Sequence, residues 1–124
     1  MTFRELADIL GAEVVVGQDC MDVTVRDAFA SDLLSDVLAF AREGTLLITG
    51  ITNPQVVRTA EMLELLGIVF VRGKRPDEEA VKLARAKKIP LFCTRYIMFE
   101  TCGRLFKHGL SGCIERVDDA GKTS

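Results

Sequence analysis

The sequence has no long apolar run and no marked excess of charge of either sign. None of its apolar segments approaches the roughly 20 residues that a membrane-spanning helix needs, and its charged, amphipathic first residues are unlike a signal peptide. Lysine and arginine together number 16 and aspartate and glutamate 18, for a net charge of −2. This balance gives no electrostatic case for a nucleic-acid or anionic-membrane partner. We therefore expect a cytoplasmic protein that binds neither.

Cysteine and histidine, the commonest ligands of structural zinc, are also few. The four cysteines are Cys20, Cys93, Cys102 and Cys113, which form no C-x-x-C pair, and the one histidine is His108. A zinc site of Cys102, His108 and Cys113 would match no standard zinc spacing. We therefore expect no metal and no other cofactor, and we predict free buried thiols in a reducing compartment.

Catalytic signatures are absent as well. The sequence contains no G-x-x-x-x-G-K-[ST] phosphate loop, no G-x-G-x-x-G after a strand and no G-x-S-x-G nucleophile elbow. We predict that the protein is not an enzyme and neither phosphorylates proteins nor hydrolyses ATP. One alternative is a small enzyme that uses Cys93, Thr94 and Arg95, because a cation beside a thiol lowers its pKa. A buried structural cysteine is favoured over it.

Apolar residues make up 48% of the 124 positions, enough for one domain with one core. The first half predicts a helix over residues 2–10, with a Thr2/Glu5 capping box and Gly11 as its stop. A short strand over 13–16 and an extended stretch over 23–29 follow. Ser31 and Asp32 then open a second helix, which ends near Ala41. Its buried face is predicted to be Leu34, Val37, Leu38 and Ala41.

The second half alternates strands with helices. Continuous apolar runs predict buried strands over 45–49, 68–71 and 90–93. Helices are expected from Asn53-Pro54 to a stop at Gly67, from Pro76 to Lys88, and over 97–107 with Phe99, Cys102 and Phe106 in the core. The predicted fold is α/β, a small parallel sheet with helices on both faces. It has a βαβαβ core preceded by an N-terminal helix and short strands. We assign residues 1–112 to this domain and 113–124 to a polar, flexible tail.

Polar residues follow each of the three predicted parallel strands. Ligands of open α/β sheets bind beyond the carboxyl ends of the strands, and neighbouring parallel strands bring these ends to one edge. The candidate ligand-binding residues, predicted to line one concave surface, are Thr49, Gly50, Asn53, Arg72, Gly73, Lys74, Thr94 and Arg95. Their cations and the helix start at Asn53 suit a small anion. The alternative is that they are turn and cap residues. Ser31-Asp32 is a second candidate, although helix capping explains it better.

Several segments resemble the DRTGG domain family, which is similar to the N-terminal domain of HPr kinase/phosphorylase. The resemblance covers nearly the whole chain, and its segments are residues 2–17, 30–38, 47–50, 69–74, 89–94 and 98–100. It implies a domain that usually accompanies others, such as CBS pairs or kinase domains. The namesake Asp-Arg-Thr-Gly-Gly-like loop is not present; Thr49-Gly50-Ile51-Thr52-Asn53 stands at the corresponding strand end.

Two functional hypotheses from different classes follow, besides the small enzyme. The first is a non-catalytic regulatory or ligand-sensing domain that binds a small anionic ligand or nucleotide at the carboxyl edge of the sheet. The second is a protein-interaction module without a small ligand, most simply a homodimer, because a small domain leaves an apolar patch or sheet edge to cover. A signalling or metabolic protein is a further expected partner.

Overall fold

A computed structural model describes residues 1–118 of the chain. Helices alternate with strands along most of this length. The helices are α1 (Phe3–Leu10), α2 (Leu34–Phe40), α3 (Pro54–Leu63), α4 (Glu78–Lys87) and α5 (Met98–Lys107). The strands are β1 (Glu13–Val16), β2 (Asp27–Ala30), β3 (Leu46–Thr49), β4 (Gly67–Phe70), β5 (Leu91–Cys93) and β6 (Ser111–Gly112).

The strands form a mostly parallel sheet in the order β1-β5-β4-β3-β2-β6. Strands β3, β4 and β5 are parallel neighbours, with Ile48 opposite Val69 and Val69 opposite Phe92. Strand β2 extends this set in parallel beside β3. Strand β1 pairs antiparallel with β5 at one edge, and the two-residue β6 pairs with β2 at the other. The predicted α/β fold with a βαβαβ core is confirmed.

Apolar side chains fill both faces of the sheet. Helices α2, α3 and α4 contribute to one buried cluster, and α1 and α5 contribute to the other. Strand residues alternate between the two clusters: Leu47 and Ile68 belong to the first, and Leu46 and Val69 to the second. Because side chains alternate across a strand, continuous apolar runs such as those of β3 and β4 are what a sheet covered on both faces requires. The prediction of helices on both faces is confirmed.

Three helix boundaries agree with the sequence signals. The Thr2 hydroxyl accepts a hydrogen bond from the Glu5 backbone N–H at 3.2 Å, and the Glu5 carboxylate accepts one from the Thr2 N–H at 3.1 Å. This reciprocal pair is the predicted capping box. Gly11 ends α1 in the left-handed region with φ 55°. The Asn53 side chain caps α3, with Pro54 at its first position.

Two other boundaries differ from their predictions. Helix α2 begins at Leu34, and neither Ser31 nor Asp32 is its N-cap residue, which is Leu33. Helix α3 ends at Leu63, four residues before Gly67, because Glu64 takes the left-handed C-cap conformation. Gly67 instead begins β4. An added Cβ there would lie 3.1 Å from the carbonyl oxygen of Pro90, so glycine permits close approach of this neighbouring segment.

The predicted inner faces of α2 and α5 are partly wrong. Val37 is fully buried, but Leu38 is 48% exposed. On α5 the side chains that face the sheet are Thr101 and Leu105, whereas Phe99 and Phe106 are 84% and 72% exposed. The Thr101 hydroxyl donates to the Ile97 carbonyl at 2.9 Å, so this polar side chain is buried with its hydrogen bond made. Helix α5 therefore has an apolar stripe that lies outside the core.

None of the helices within residues 1–118 has the length and apolar character to cross a membrane.

The Cys113 N–H donates to the Ala28 carbonyl at 2.9 Å, just after β6. The division into a domain over 1–112 and a flexible tail over 113–124 stays a prediction, and residues 119–124 lie outside the described part of the chain.

Candidate functional site

The carboxyl ends of β2, β3, β4 and β5 meet at one edge of the sheet, which we call the rim. Thr49 is the last residue of β3, and the other seven predicted ligand residues follow β3, β4 or β5, so all eight lie at this edge of the sheet. The antiparallel strand β1 begins at the same edge, because Glu13 pairs with Cys93 at the end of β5. The rim thus receives residues from five neighbouring strands.

A carboxylate joins three of these strand ends. One oxygen of Asp32, which follows β2, accepts a hydrogen bond from the Gly50 N–H at 2.6 Å and lies 3.4 Å from the Thr49 hydroxyl. The other accepts from the Arg72 guanidinium at 2.9 Å. The expectation that Asp32 caps a helix is therefore wrong. Its partners come from strands that are remote in sequence, and it fixes Arg72, which was predicted to be available to a ligand.

Gly50 makes room for the Arg72 guanidinium. A Cβ at position 50 would lie 2.5 Å from Nη2 and 2.9 Å from Cζ of Arg72. Any larger residue would have to move the arginine, since such contacts are too short for real carbon atoms. The glycine is therefore explained by the close approach of a side chain, and its own φ is not positive.

The charge of Asp32 is stabilised by this environment. Partial burial acts to raise its pKa, but the hydrogen bond from Gly50, the paired Arg72 and the Thr49 hydroxyl together outweigh burial. The pKa of Asp32 is consequently lowered from its ordinary value of 3.8. The carboxylate is ionised at neutral pH, so the Asp32–Arg72 pair persists there.

Three other predicted residues use their polar side chains to hold the fold. The Thr49 hydroxyl is buried and accepts from the Ile51 N–H at 3.1 Å. The Thr94 hydroxyl is buried too and donates to the Leu10 carbonyl at 2.7 Å, which ties the end of β5 to α1. The Asn53 side chain accepts from the Gln55 N–H at 3.0 Å as the cap of α3. For these three the cap-and-turn interpretation describes the observed contacts.

The loop after β4 is a tight turn. Arg72 and Gly73 have φ of 62° and 69°, and the Lys74 N–H donates to the Val71 carbonyl at 3.0 Å, as in a type I′ turn. The Gly73 N–H donates to the Thr94 carbonyl at 3.0 Å, and the Arg72 N–H to that of Tyr96 at 2.8 Å. These bonds hold the turn against the segment that follows β5.

A cavity of about 370 Å³ opens at the β1–β5 end of the rim. We call it the rim cavity; its lining residues are Gly11, Glu13, Gly73, Arg75, Cys93, Thr94 and Arg95. Arg75 forms two hydrogen bonds with the Glu13 carboxylate, at 2.9 and 3.2 Å. Arg95 is exposed, as is Lys74 in the adjoining turn. Neither of these two cations forms an ion pair within residues 1–118. The rim cavity therefore combines backbone polar groups with an unpaired positive charge.

Cys93 lacks the features of a reactive thiol. Burial raises its pKa; Arg75 acts to lower it, and Glu13 to raise it further. The cation beside this thiol is thus Arg75, already paired with a carboxylate, and not the adjacent Arg95. A thiol with a raised pKa is protonated at neutral pH and is a poor nucleophile, which argues against an enzyme built on Cys93. Within residues 1–118 no group of histidine, cysteine, aspartate or glutamate side chains could hold a metal ion.

The sequence offered Ser31-Asp32 as a second candidate but did not place Asp32 at the rim, and Gly11, Glu13 and Arg75 were not included in the site. Arg75 was assigned to the polar turn after β4, which is adjacent to the predicted site. No sequence pattern predicted the antiparallel pairing of β1 with β5, which brings Glu13 to this edge of the sheet. The sequence signal at Asp32 was a polar residue after an extended stretch, and helix capping was the better explanation of it.

Comparison with solved structures finds proteins of similar fold, among them one regulatory region. The crystal structure of the CBS and DRTGG domains of the regulatory region of Clostridium perfringens pyrophosphatase, complexed with the activator diadenosine tetraphosphate, has a TM-score of 0.73 and 16% sequence identity to this chain. The match covers 98% of this chain and 58% of that one. At this identity the likeness shows a shared fold. No curated protein matches the chain.

Comparison with family models gives a match that extends through most of the described residues. The model of the DRTGG domain matches residues 5–107, from the first turn of α1 to the end of α5. This range includes β1 to β5 and all eight predicted ligand residues. The chain belongs to the DRTGG domain family.

Proposed function

We propose that this domain is a non-catalytic regulatory domain that binds a nucleotide or another small phosphate-bearing ligand in the rim cavity. The observation that carries the proposal is the rim cavity itself. It lies beyond the carboxyl ends of parallel strands, where open α/β sheets bind ligands. Three of its seven lining residues, Gly73, Thr94 and Arg95, are ones that the sequence predicted.

Charge favours an anion in this cavity. Arg95 and the neighbouring Lys74 are exposed cations without an ion pair among the described residues. Arg75 is held beside the cavity by Glu13, so its guanidinium is oriented before any ligand arrives. Guanidinium groups bind phosphate oxygens in bidentate geometry. Glu13 would repel an anion placed on it, so we place the phosphate nearer to Arg95 and Lys74.

A nucleotide is the favoured form of the ligand. The similar pyrophosphatase regulatory region is complexed with diadenosine tetraphosphate, an activator of that enzyme. This chain spans 58% of the length of that regulatory region. We propose a sensing role for this chain. Ligand binding here would alter a signalling or metabolic protein with which the domain associates. We propose that this takes place in the cytoplasm, where the four free thiols are stable.

Thermal denaturation with candidate ligands tests this proposal. The probes are diadenosine tetraphosphate, ATP, AMP and inorganic phosphate. A ligand present at 100 times its dissociation constant stabilises a protein by about 2.7 kcal/mol, which raises Tm by several degrees for a domain of this size. We expect at least one nucleotide to produce this rise. If all four probes leave Tm unchanged at millimolar concentration, the proposal is wrong.

The second candidate function is a protein-interaction module, a homodimer, that binds no small ligand. The exposed Phe99 and Phe106, seven residues apart on the same side of α5, favour it, because apolar side chains that form a contiguous exposed patch mark an interaction surface. The two functions are compatible with each other. They are separated by measuring ligand binding and self-association on the same preparation.

A further inference from the structure

We propose that a second copy of this chain packs on the exposed stripe of α5, so that the two α5 helices lie antiparallel about a two-fold axis. We call the stripe the α5 face; its members, spaced three and four residues apart, are Phe99, Cys102, Gly103 and Phe106. This inference rests on the second candidate function and not on ligand binding. It assigns the surface, the occupant and the register of the contact.

The α5 face is apolar, and its two phenylalanine rings have no cover within the described residues, whereas Cys102 is half-buried against the core. Phe99 is 84% exposed and Phe106 72%. Gly103 lies between them, and an added Cβ there would meet no heavy atom within 4 Å. A glycine inside a helix costs about 1 kcal/mol relative to alanine. It also lets another helix approach closely, since the separation of packed helices depends on the side chains at the contact.

The pattern of this face is self-complementary. Phe99 and Phe106 are placed symmetrically about the midpoint between Cys102 and Gly103. A two-fold axis through this midpoint therefore sets Phe99 of each copy opposite Phe106 of the other, and Cys102 opposite Gly103. An isologous interface has this property, because one patch must complement itself.

The same register brings opposite charges together. With helices antiparallel about that midpoint, Glu100 of one copy lies within about one residue rise, 1.5 Å along the axis, of Arg104 of the second copy. Lys107 of the second copy lies about two rises away on its other side. In the single chain Glu100 already pairs with Arg104 at 2.8 Å. The pairing between copies would join Glu100 and Arg104 of both copies in a network of four charges along one flank of the interface, with the two Lys107 side chains beside it.

A cavity beside Phe106 can accommodate the phenyl ring of Phe99 from the second copy. It has a volume of about 220 Å³, and apolar side chains of α5, β2 and the segment after α5 line it, among them Phe29, Leu105, Leu110 and Ile114. An apolar cavity of about 150 Å³ accepts benzene, so this one is large enough for a phenyl group. Phe99 of the second copy reaches the height of Phe106 in the proposed register and can enter this cavity.

The area of the α5 face suggests a weak dimer. The four phenylalanine side chains of a dimer bury roughly 600–1,000 Å² of apolar surface if fully covered, less than the roughly 1,200–2,000 Å² that a stable, specific interface buries. The charged flank and the cavity wall supply the rest. We therefore expect a dissociation constant in the micromolar range, so that the dimer is visible only at sufficient protein concentration.

Sedimentation equilibrium from micromolar to millimolar concentration measures this association. Phe106→Asp and Phe99→Ser should each raise the dissociation constant by at least about 30-fold, as loss of a buried aromatic anchor does. The matched control is Met62→Asp, which changes an exposed apolar residue on α3 and should leave the constant unchanged. Circular dichroism establishes that each variant is folded. A monomeric wild-type protein throughout, or equal effects of Met62→Asp and Phe106→Asp, would overturn the proposal.

A charge swap tests the register. Glu100→Arg alone and Arg104→Glu alone each place like charges opposite one another in a homodimer, so both should self-associate more weakly than the wild type. An equimolar mixture of the two variants restores opposite charges across the axis and should form a heterodimer more tightly than either variant self-associates. Changes within one helix cannot produce this rescue. If the mixture associates no better than its components, the antiparallel register is wrong and the proposal fails.

Discussion

At the scale of single residues, the rim depends on contacts between residues that are far apart in the sequence. Asp32 reaches Gly50 and Arg72, which lie 18 and 40 positions away. The identity of each of these three residues has a specific structural explanation. Asp32 accepts hydrogen bonds from two strand ends, Arg72 supplies the opposing charge, and Gly50 leaves the space in which that charge lies.

Replacing Gly50 by alanine should displace the Arg72 side chain. An added Cβ would lie 2.5 Å from Nη2, and the end of a flexible arginine can move at modest cost. We expect the free energy of unfolding to fall by up to about 1 kcal/mol, the scale of one exposed ion pair. In an Arg72→Ala background the same change should be neutral or stabilising by about 0.4–1 kcal/mol, because alanine restricts the unfolded chain.

Urea denaturation of the four proteins in this double-mutant cycle measures the coupling. The two single substitutions should not be additive. If Gly50→Ala lowers stability equally with and without the Arg72 side chain, the contact does not explain the glycine.

Asp32 should make a contribution to the free energy of unfolding that is lost at acid pH. Because the pKa of Asp32 is lowered in the folded protein from its ordinary value of 3.8, its contribution is complete above that value. It is lost as the pH falls through the folded-state pKa. Asp32→Asn should therefore lower the free energy of unfolding by about 1 kcal/mol at pH 7. The expected effect is small because the side chain is half exposed, so solvent screens its charge.

The difference between Asp32→Asn and the wild type should disappear at strongly acidic pH. Denaturation of both proteins across the range from pH 7 downward tests this, and Arg72→Ala should remove much of the same dependence. A difference that stays constant down to the acid limit would show that the charge of Asp32 is not the cause.

At the scale of secondary-structure elements, signals confined to one segment predicted the structure well. Continuous apolar runs gave β3, β4 and β5, the Asn53-Pro54 pair gave the start of α3, and Thr2 with Glu5 gave the capping box of α1. Each of these signals lies within a single strand that is covered on both faces, or at a single helix end. The local sequence determines them.

Errors arose where an element has two apolar faces or where a contact is remote. Helix α5 carries Leu105 on one side and Phe99 and Phe106 on another, and its hydrophobic spacing does not show which side meets the sheet. The apolar pattern of α2 likewise included Leu38, which is exposed. The antiparallel edge strand β1 and the partners of Asp32 depend on chain topology. No local pattern contains them, and so the rim was predicted without its carboxylates.

Helix α2 and strand β3 provide a matched pair of leucines for testing this packing. Leu47 is fully buried in β3, whereas Leu38 on α2 is 48% exposed. Leu47→Ala should lower the free energy of unfolding by about 2–4 kcal/mol, because it leaves a cavity in the core. Val69→Ala should have a somewhat smaller effect. Leu38→Ala should change stability by about 0.5 kcal/mol or less.

Urea denaturation with a common slope for all variants provides the comparison. A near-neutral effect of Leu47→Ala, or an effect of Leu38→Ala as large, would contradict the packing of α2 and β3 described above.

At the scale of the whole molecule, the proposed ligand site and the proposed dimer surface are built from different parts of the fold. The rim cavity draws on β1, β5 and the turn after β4. The α5 face lies on the outer side of a helix that packs with α1 on one face of the sheet. A domain with two such surfaces can bind a ligand at one and a protein at the other, which is what a regulatory function requires.

The most direct test of the central claim is the affinity of the protein for diadenosine tetraphosphate, measured by titration calorimetry in three forms. The wild type should bind. Arg95→Ala should weaken binding by about 10-fold or more, because it removes a charge-assisted hydrogen bond in the rim cavity. Arg58→Ala, which removes an exposed arginine of α3 away from that cavity, should bind as the wild type does. Absence of binding by the wild type, or equal weakening by Arg95→Ala and Arg58→Ala, would contradict the account.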